Sequence, residues 1–447
     1  MDINPNLRAL NRFGLGARLG EAQAINHRQW LLSQINPGAA LLRSSELLTT
    51  QALIEKIAAY RRNDNGGGSA ARQAVRKEGR QYFQLEAGTA MVQAFTTTTP
   101  FAERLARFWS NHFAVSTQGE QMVAWLAGAY EREAIRPHVF GKFEDMVLAS
   151  ARHPAMLIYL DQARSVGPGS RGARNGRRGL NENYARELLE LHTLGVGGGY
   201  TQQDVEQLAL VLTGWSVGGL NNRRADPSPF AFDNRIHEPG SKQVVGLRLG
   251  EEGEMEGRRA IAWLARHPST ATFIATKLVR HFVSDTPHPN DVGLIRQVFL
   301  ETGGDLAEVS RALVDLDDAF YGPSRKIRTP QDFVIAVGRA LGLTSVDRQA
   351  FAILQQLRHP IWGPLSPAGY SDSLQDWADP DGLLKRAEFG RQISRKAGRN
   401  QQGDLSQIVD QLVESPNADL LKIALRNQSS FSDQLALLIA SPDFQWR

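Results

Sequence analysis

Asn181–Trp215 reads NENYARELLELHTLGVGGGYTQQDVEQLALVLTGW, and this stretch decides the predicted fold. Apolar side chains recur at three- and four-residue spacing over Tyr184–Leu194 and again over Val205–Leu212, which indicates two amphipathic helices. Gly195–Gly199 stands between them and is typical of a helix stop. The Thr-Gln-Gln-Asp sequence that begins at Thr201 is the signature of a new helix start. The stretch therefore predicts two packed helices joined by a glycine turn.

The same helical period recurs elsewhere and sets the predicted fold class. It is found over Phe101–Phe113, Phe273–Phe282 and Phe333–Leu341. The region 216–257 lacks this period, and alternation at Gln243–Leu249 predicts a short strand or the edge of a hairpin. We therefore predict a mainly α protein, a multi-helix orthogonal array or bundle with a small irregular β-containing insert near 216–257.

The chain shows no clear domain boundary, and we predict a single helical unit over 1–447. The Gly-rich segment Asn63–Ser69 and the Gly- and Arg-rich segment Arg164–Gly179 are predicted to be flexible loops. The sequence Ala-Arg-His-Pro occurs at Ala151–Pro154 and again at Ala265–Pro268, each time before an apolar helix. Proline is favoured at the first position of a helix, so the repetition indicates similar helix starts.

The composition excludes several kinds of site. The chain has 447 residues, a net charge of +4 and no cysteine, which excludes disulfides, thiolate zinc sites and cysteine nucleophiles. No apolar run approaches the roughly 18 residues of a membrane helix. The first residues hold no apolar signal core. We expect a cytoplasmic protein as written, or a periplasmic or exported one if a leader has been removed, with no strong nucleic-acid signal.

The first helix of the opening stretch carries a polar face. On a helical wheel Asn183, Arg186, Glu187 and Glu190 lie on the same side, while His192 points elsewhere. Two carboxylates one turn apart suit general acid–base catalysis or a divalent cation. The spacing to His192 does not match a helical zinc motif, whose ligands lie about three or four residues apart. The alternative is a solvated face with an ordinary Arg–Glu pair.

Histidines on apolar stripes form a second group of candidates. His112, His192 and His281 each lie on or beside a stripe that is predicted to be buried, where a polar group needs a partner. The three could converge on a metal ion, or each could bond a backbone carbonyl. Lys277 lies on the same stripe as His281, and we expect it to extend toward solvent or to pair with a carboxylate such as Glu187.

Two irregular segments hold further polar groups. His237 and Lys242 lie in a predicted turn, which could line a site or be an ordinary turn. Arg164–Arg178 holds five arginines and could bind phosphate or an anionic polymer. The alternative for this segment is a solvated loop.

A set of segments along the whole chain carries a family resemblance. They are LNRFGLGA at Leu10–Ala17, RFWSNHFAVS at Arg107–Ser116, HPAMLIYLD at His153–Asp161, NENYARELLELHTLGV at Asn181–Val196, YTQQDVEQLALVLTGW at Tyr200–Trp215, HEPGSKQVVG at His237–Gly246, HPSTATFIATKLVRHFV at His267–Val283 and SPDFQWR at Ser441–Arg447. Together they resemble the bacterial family catalogued as domain of unknown function 1800.

The resemblance implies a mostly helical protein and supplies no established activity. Members often look exported, and they are often encoded beside a second uncharacterised family that resembles sulfatases and phosphatases. This chain departs from the pattern by lacking a visible leader. It departs again at Leu357–Trp377, where relatives tend to carry a Gly-Gln-Pro segment and a later Gly-Trp. The matching positions are largely polar, which suits a shared pocket better than a shared core.

These observations lead to an enzyme hypothesis and two alternatives. The candidate site residues are Asn183, Arg186, Glu187, Glu190, Arg107, His112 and His237. In the enzyme hypothesis the two glutamates act as acid and base, an arginine holds an anion, and the histidines relay protons or bind a divalent metal, in hydrolase- or lyase-like chemistry. The first alternative is a non-catalytic helical scaffold acting with the phosphatase- or sulfatase-like companion. The second is an anionic-polymer binder that uses the arginine-rich loop.

Overall fold

The computed structural model of the protein describes residues 4–63, 69–175, 179–219, 228–322, 326–397, 404–414 and 418–447. The predicted class, mainly α with a small β-containing insert, is confirmed. Every helical segment named above contains an observed helix. Within the described residues, none of the helices combines the length and the apolar run that crossing a bilayer requires.

The α-helices follow one another in short connections. In chain order they are α1 (Pro5–Arg8), α2 (His27–Leu32), α3 (Thr50–Asn63), α4 (Ser69–Thr96), α5 (Pro100–His112), α6 (Gln121–Tyr130), α7 (Phe143–Arg152), α8 (Pro154–Tyr159), α9 (Asn183–Glu187), α10 (Gln202–Leu212), α11 (Glu254–Ala265), α12 (Pro268–Phe282), α13 (Pro289–Glu301), α14 (Leu306–Asp315), α15 (Asp318–Tyr321), α16 (Pro330–Ala340), α17 (Arg348–Gln356), α18 (Leu374–Trp377), α19 (Pro380–Ala397), α20 (Ala418–Arg426) and α21 (Phe431–Ala440).

The β insert consists of two small antiparallel pairs. The strands are β1 (Trp215–Val217) paired with β2 (Phe230–Phe232), and β3 (Lys242–Val244) paired with β4 (Leu247–Leu249). The turn between β3 and β4 is made by Val245 and Gly246, which both have positive φ, at 44° and 78°. Such a turn matches the right-handed twist of a two-residue hairpin.

The sequence fixes several helix starts through local hydrogen bonds. Thr201 and Asp204 form the predicted capping box at the start of α10. At α8 and α12, His153 and His267 precede the first-turn proline, and each imidazole Nδ1 accepts the backbone N–H two residues later, at 3.1 and 3.2 Å. The repeated His-Pro pair is therefore a helix start in which histidine supplies the cap.

The helix that begins at Asn183 widens part of the way along. α9 continues into a π-helical turn at Leu188–His192, so the uniform wheel used for the sequence prediction is wrong beyond Glu187. In this turn the carbonyl of Leu188 accepts the hydroxyl of Thr193 at 2.7 Å. Such turns often accompany functional sites.

The buried apolar side chains form two main clusters. The larger cluster contains side chains of the helices from α5 through α14 and of the β insert. The second cluster contains side chains from the start of the chain, the end of α4, α16 and the helices that follow α16. α5 belongs to the first cluster and α16 to the second, and the two helices meet at a cleft.

Candidate functional site

The cleft between α5 and α16 has about 830 Å³ of empty space, counted out to the solvent at its mouth. One wall is α5, which contributes Arg104, Arg107, Phe108, Ser110 and Asn111. The C-terminal end of α12 contributes His281, and the first turn of α16 contributes Gln331 and Asp332. The segment 359–372 forms the facing wall. The cleft is therefore built from parts of the chain that are far apart in sequence.

α5 presents polar groups to the cleft because its apolar arc is buried. Phe101 and Trp109 are at most 1% exposed, which fixes the rotation of the helix. The amide of Asn111 donates to the carbonyl of Tyr370 at 2.9 Å and its oxygen accepts the N–H of the same residue at 2.7 Å. This pair of bonds holds the facing wall against α5.

A histidine–aspartate pair lies in the cleft. The Nδ1 of His281 lies 2.8 and 2.9 Å from the two carboxylate oxygens of Asp372. Because a carboxylate only accepts, Nδ1 carries the proton and donates. The Nε2 of His281 is buried and has no hydrogen-bond partner among the described residues. Burial lowers the pKa of His281 to about 4 although Asp372 favours the charged form, so the imidazole is neutral at neutral pH.

Below this pair the floor of the cleft holds Asp332 between two arginines. Arg104 Nη1 lies 3.2 Å from its carboxylate, and Arg447 Nε lies 3.4 Å away. Burial alone would raise the pKa of Asp332, but these guanidinium groups hold it well below the ordinary value. Arg447 also reaches to 3.7 Å from Asp372, so it lies between the two carboxylates.

Arg107 is the member of the predicted site that the structure brings into the cleft. Its Nη2 donates to the side-chain oxygen of Gln331. The other six predicted residues are described by the structure, and none of them lines this cleft. They lie in three other places.

His112 lies in the core beside Lys277 and His192. Its Nε2 is 3.2 Å from the carbonyl of His192, so this nitrogen donates and Nδ1 accepts the Lys277 ammonium at 3.1 Å. His112 thus bonds a backbone carbonyl, one of the two alternatives left open. Lys277 bonds an imidazole and has no ion-pair partner among the described residues, so its predicted pairing with Glu187 is wrong. Burial lowers the pKa of Lys277 to about 8.

His237 belongs to a closed, buried network. Its Nδ1 donates to the carbonyl of Thr213 at 2.7 Å, and its Nε2 lies 3.1 Å from Glu256 and 3.4 Å from Lys242. Lys242 also donates to the Glu256 carboxylate at 2.8 Å. Glu256 is 0% exposed, and its oxygen Oε1 accepts two further backbone N–H groups. His237 and Lys242 are both drawn inward by this carboxylate, and neither lines the cleft.

The carboxylate face of α9 lies outside the cleft. Arg186 lies 3.7 Å from Glu190 and 2.8 Å from the side-chain oxygen of Gln202, and Asn183 is exposed. Glu187 is half-buried, and burial together with the neighbouring Glu190 raises its pKa, which Arg186 partly offsets. The arrangement favours the solvated-face alternative for this helix.

Two further predictions concern a metal and the arginine-rich loop. Within the described residues, no group of three or more His, Asp or Glu side chains is arranged to hold a metal ion. Residues 176–178 of the predicted loop lie outside the described residues, as do residues 64–68 of the other one. Arg164 is exposed and lies 3.1 Å from Asp161.

Sequence reasoning missed the carboxylates of the cleft. Asp372 is 91 positions from its histidine partner and lies in an irregular segment without a period. Asp332 lies in the first turn of α16, where acidic residues are common, so its place in the sequence did not indicate a site. The available signal was His281, a buried polar residue that required a partner from elsewhere in the chain.

One family model matches nearly the whole chain. The model of a family described as "Protein of unknown function (DUF1800)" matches residues 8–446. No curated protein and no solved structure matches the chain.

Proposed function

The chain belongs to the DUF1800 family, and we propose that it is a hydrolase-type enzyme in which His281 is the general base. The observation that carries this proposal is the state of the imidazole. His281 lines the cleft, its Nδ1 is held by Asp372, and its buried Nε2 has no partner among the described residues. An oriented, neutral imidazole with an unused nitrogen is the arrangement that accepts a proton from a reacting group.

The proton donor in this proposal is a water molecule. No hydroxyl of the described residues bonds Nε2 of His281. In the described part of the chain, four hydroxyl side chains line the cleft, and each bonds another group. Ser110 donates to Glu131 and Tyr370 donates to the carbonyl of Pro360, while Thr329 and Ser371 accept the N–H groups of Asp332 and Ser373. His281 would take a proton from water as the oxygen attacks the electrophilic atom, and the imidazolium would return that proton to the leaving group.

Asp372 is a positioning residue in this scheme. Its carboxylate holds the proton on Nδ1, so that the lone pair is on Nε2, and it stabilises the imidazolium that forms during the reaction. Burial opposes ionisation of this carboxylate, but the contact with His281, and after it the charges of Arg447 at 3.7 Å and of Lys326, favour the ionised form. The pKa of Asp372 is accordingly well below its ordinary value.

A panel of p-nitrophenyl esters, including carboxylic and phosphoric esters, tests the proposal. We expect His281→Asn to lower hydrolysis by about 10²–10⁴-fold, the usual contribution of a general base. His288→Asn is the matched control, because His288 is exposed and serves as a helix cap that asparagine can replace. Hydrolysis by the His281→Asn variant at the wild-type rate would contradict the proposal.

The remaining predictions from the sequence stay predictions. They are the phosphatase- or sulfatase-like companion, binding of an anionic polymer by the arginine-rich loop, a divalent metal, and a cytoplasmic rather than periplasmic or exported location. None of them is needed for the chemistry of the His281–Asp372 pair.

A further inference from the structure

Arg107 has donors that the protein itself does not use. A guanidinium group carries five N–H donors in a planar fork. In the described part of the chain, Arg107 makes one hydrogen bond, to Gln331, and has no carboxylate at ion-pair distance. Its side chain is half-buried on the wall of the cleft. Most of the fork is therefore free to bind a molecule that enters.

The neighbouring polar groups are already committed to other partners. Ser110 donates to Glu131 at 2.8 Å, and the amide of Asn111 donates to the carbonyl of Tyr370. The amide of Gln331 donates to two backbone carbonyls of the facing wall, at 3.2 and 3.1 Å. These bonds fix the surroundings of Arg107 without satisfying it, so the fork is held in place before a ligand arrives.

Further positive charge is buried behind the cleft. Arg447 has a side chain that is 0% exposed, and its three guanidinium nitrogens have no hydrogen-bond partner among the described residues. Arg447 and Arg104 both lie at ion-pair distance from Asp332. Arg328 is also near, and its pKa is lowered first by burial and then by the charges of Arg104 and Arg447. A carboxylate without a neighbouring cation would repel an anion. In this cleft Asp332 lies beside Arg104 and Arg447, and Asp372 lies beside Arg447, so their negative charges are offset.

We infer that Arg107 binds an oxyanion of the substrate, which is a carboxylate or a phosphate. The substrate is then a small anionic ester or amide. This inference rests on the proposed function of the same cleft. The two oxygens of such a group match the guanidinium fork. Because Arg107 and His281 line one cleft, an anion held by Arg107 would place the rest of the same molecule in the cleft that His281 also lines.

Calorimetric titration with inorganic phosphate and with acetate, at constant ionic strength set by sodium chloride, tests the inference. We expect at least one anion to bind the wild-type protein, and Arg107→Gln to weaken its affinity by at least tenfold. The matched control is Arg186→Gln, which removes a half-exposed arginine outside the cleft and should leave the affinity unchanged. Preference for phosphate or for acetate identifies which oxyanion the site takes.

Failure of this inference can be told from failure of the proposed function. His281→Asn should bind the anion as the wild type does, since it removes the base and leaves the fork. Anion binding that is equal in wild type and Arg107→Gln, or absent from the wild type, would overturn the inference even if ester hydrolysis depends on His281. If Arg107→Gln fails to fold, Arg107→Lys keeps the charge and removes the fork, and its affinity should still fall.

Discussion

Two histidine–carboxylate pairs of this protein have nearly the same parts and different surroundings. His237 lies 3.1 Å from Glu256, and His281 lies 2.8 Å from Asp372. In the first pair both imidazole nitrogens have partners, and the carboxylate is shared with Lys242 and two backbone N–H groups. In the second pair Nε2 of His281 has no partner in the described part of the chain, and the Asp372 side chain is 18% exposed. The two pairs contain similar residues and differ in whether every imidazole nitrogen has a hydrogen-bond partner.

The comparison teaches which polar cluster to assign to structure and which to chemistry. A closed network such as that of His237 stabilises one arrangement of its strands and helices and offers nothing to a ligand. The cleft pair has the same oriented imidazole, but its buried Nε2 has no partner among the described residues and can still accept a proton. Substitutions in the two pairs should therefore differ in their effects on activity and on stability.

Asp372→Asn should give the largest effect, a loss of ester hydrolysis of about 10²–10⁴-fold. An amide in this place can donate to Nδ1 and so favours the wrong imidazole tautomer. The measurement is the rate of nitrophenolate release by purified variant and wild type. Glu190→Gln, on the face outside the cleft, is the control. Equal rates for Asp372→Asn and wild type would show that the two pairs do not differ in function.

Glu256→Gln should lower the free energy of unfolding by about 3–5 kcal/mol, because it leaves the buried Lys242 ammonium without its anion. Urea unfolding followed by circular dichroism measures this loss. Asp372→Asn should cost less, about 1–2 kcal/mol, since its carboxylate is partly exposed. A loss of stability as large at Asp372 as at Glu256 would make the cleft pair a structural one.

The stability of the protein should fall as the pH decreases from about 6.5 toward 4 through His281. Its pKa is lowered to about 4 in the folded protein, whereas an unfolded imidazole titrates near 6.5, so the unfolded chain binds more protons in this window. The contribution is about 1 kcal/mol per pH unit, and His281→Gln should reduce the pH dependence of the unfolding free energy by that amount. The buried His153, His192 and His359, whose pKa values are lowered to about 3, contribute in the same window and keep their share.

An NMR titration of the His281 ring checks the same group directly. We expect the ring to stay neutral until the pH approaches 4. A ring that stays protonated above pH 7 would instead make His281 and Asp372 a buried ion pair, and the general-base proposal would then lose its premise.

Glu187→Gln and Glu190→Gln should have the smallest effects, within about 0.5 kcal/mol of wild-type stability. Glu190 has only a surface contact with Arg186 at 3.7 Å, and burial already disfavours the charged form of Glu187. Hydrolysis should be unchanged, because neither side chain lines the cleft. Thermal unfolding and the ester assay measure both quantities. A loss of activity in either variant would return the carboxylate face of α9 to the catalytic site.

The sequence predicted local features well because their causes are local. The helices around Gly195–Gly199, the cap at Thr201 and the burial of His112 all follow from spacing within one or two turns. Asp372 and Arg447 meet His281 only because two hydrophobic clusters pack side by side, and no pattern near His281 reports that packing. Arg107 was selected through the resemblance and lies in the cleft, while its surroundings came from the fold alone.

The segment Leu357–Trp377 makes the two walls of the cleft unequal. It contains Arg358 and Trp362 at the unusual φ angles of 54° and 47°, and it supplies Asp372 to the cleft. The opposite wall is α5, whose rotation is fixed by its buried apolar side chains. Changes of sequence in this segment would therefore reshape the cleft from one side while α5 keeps its place.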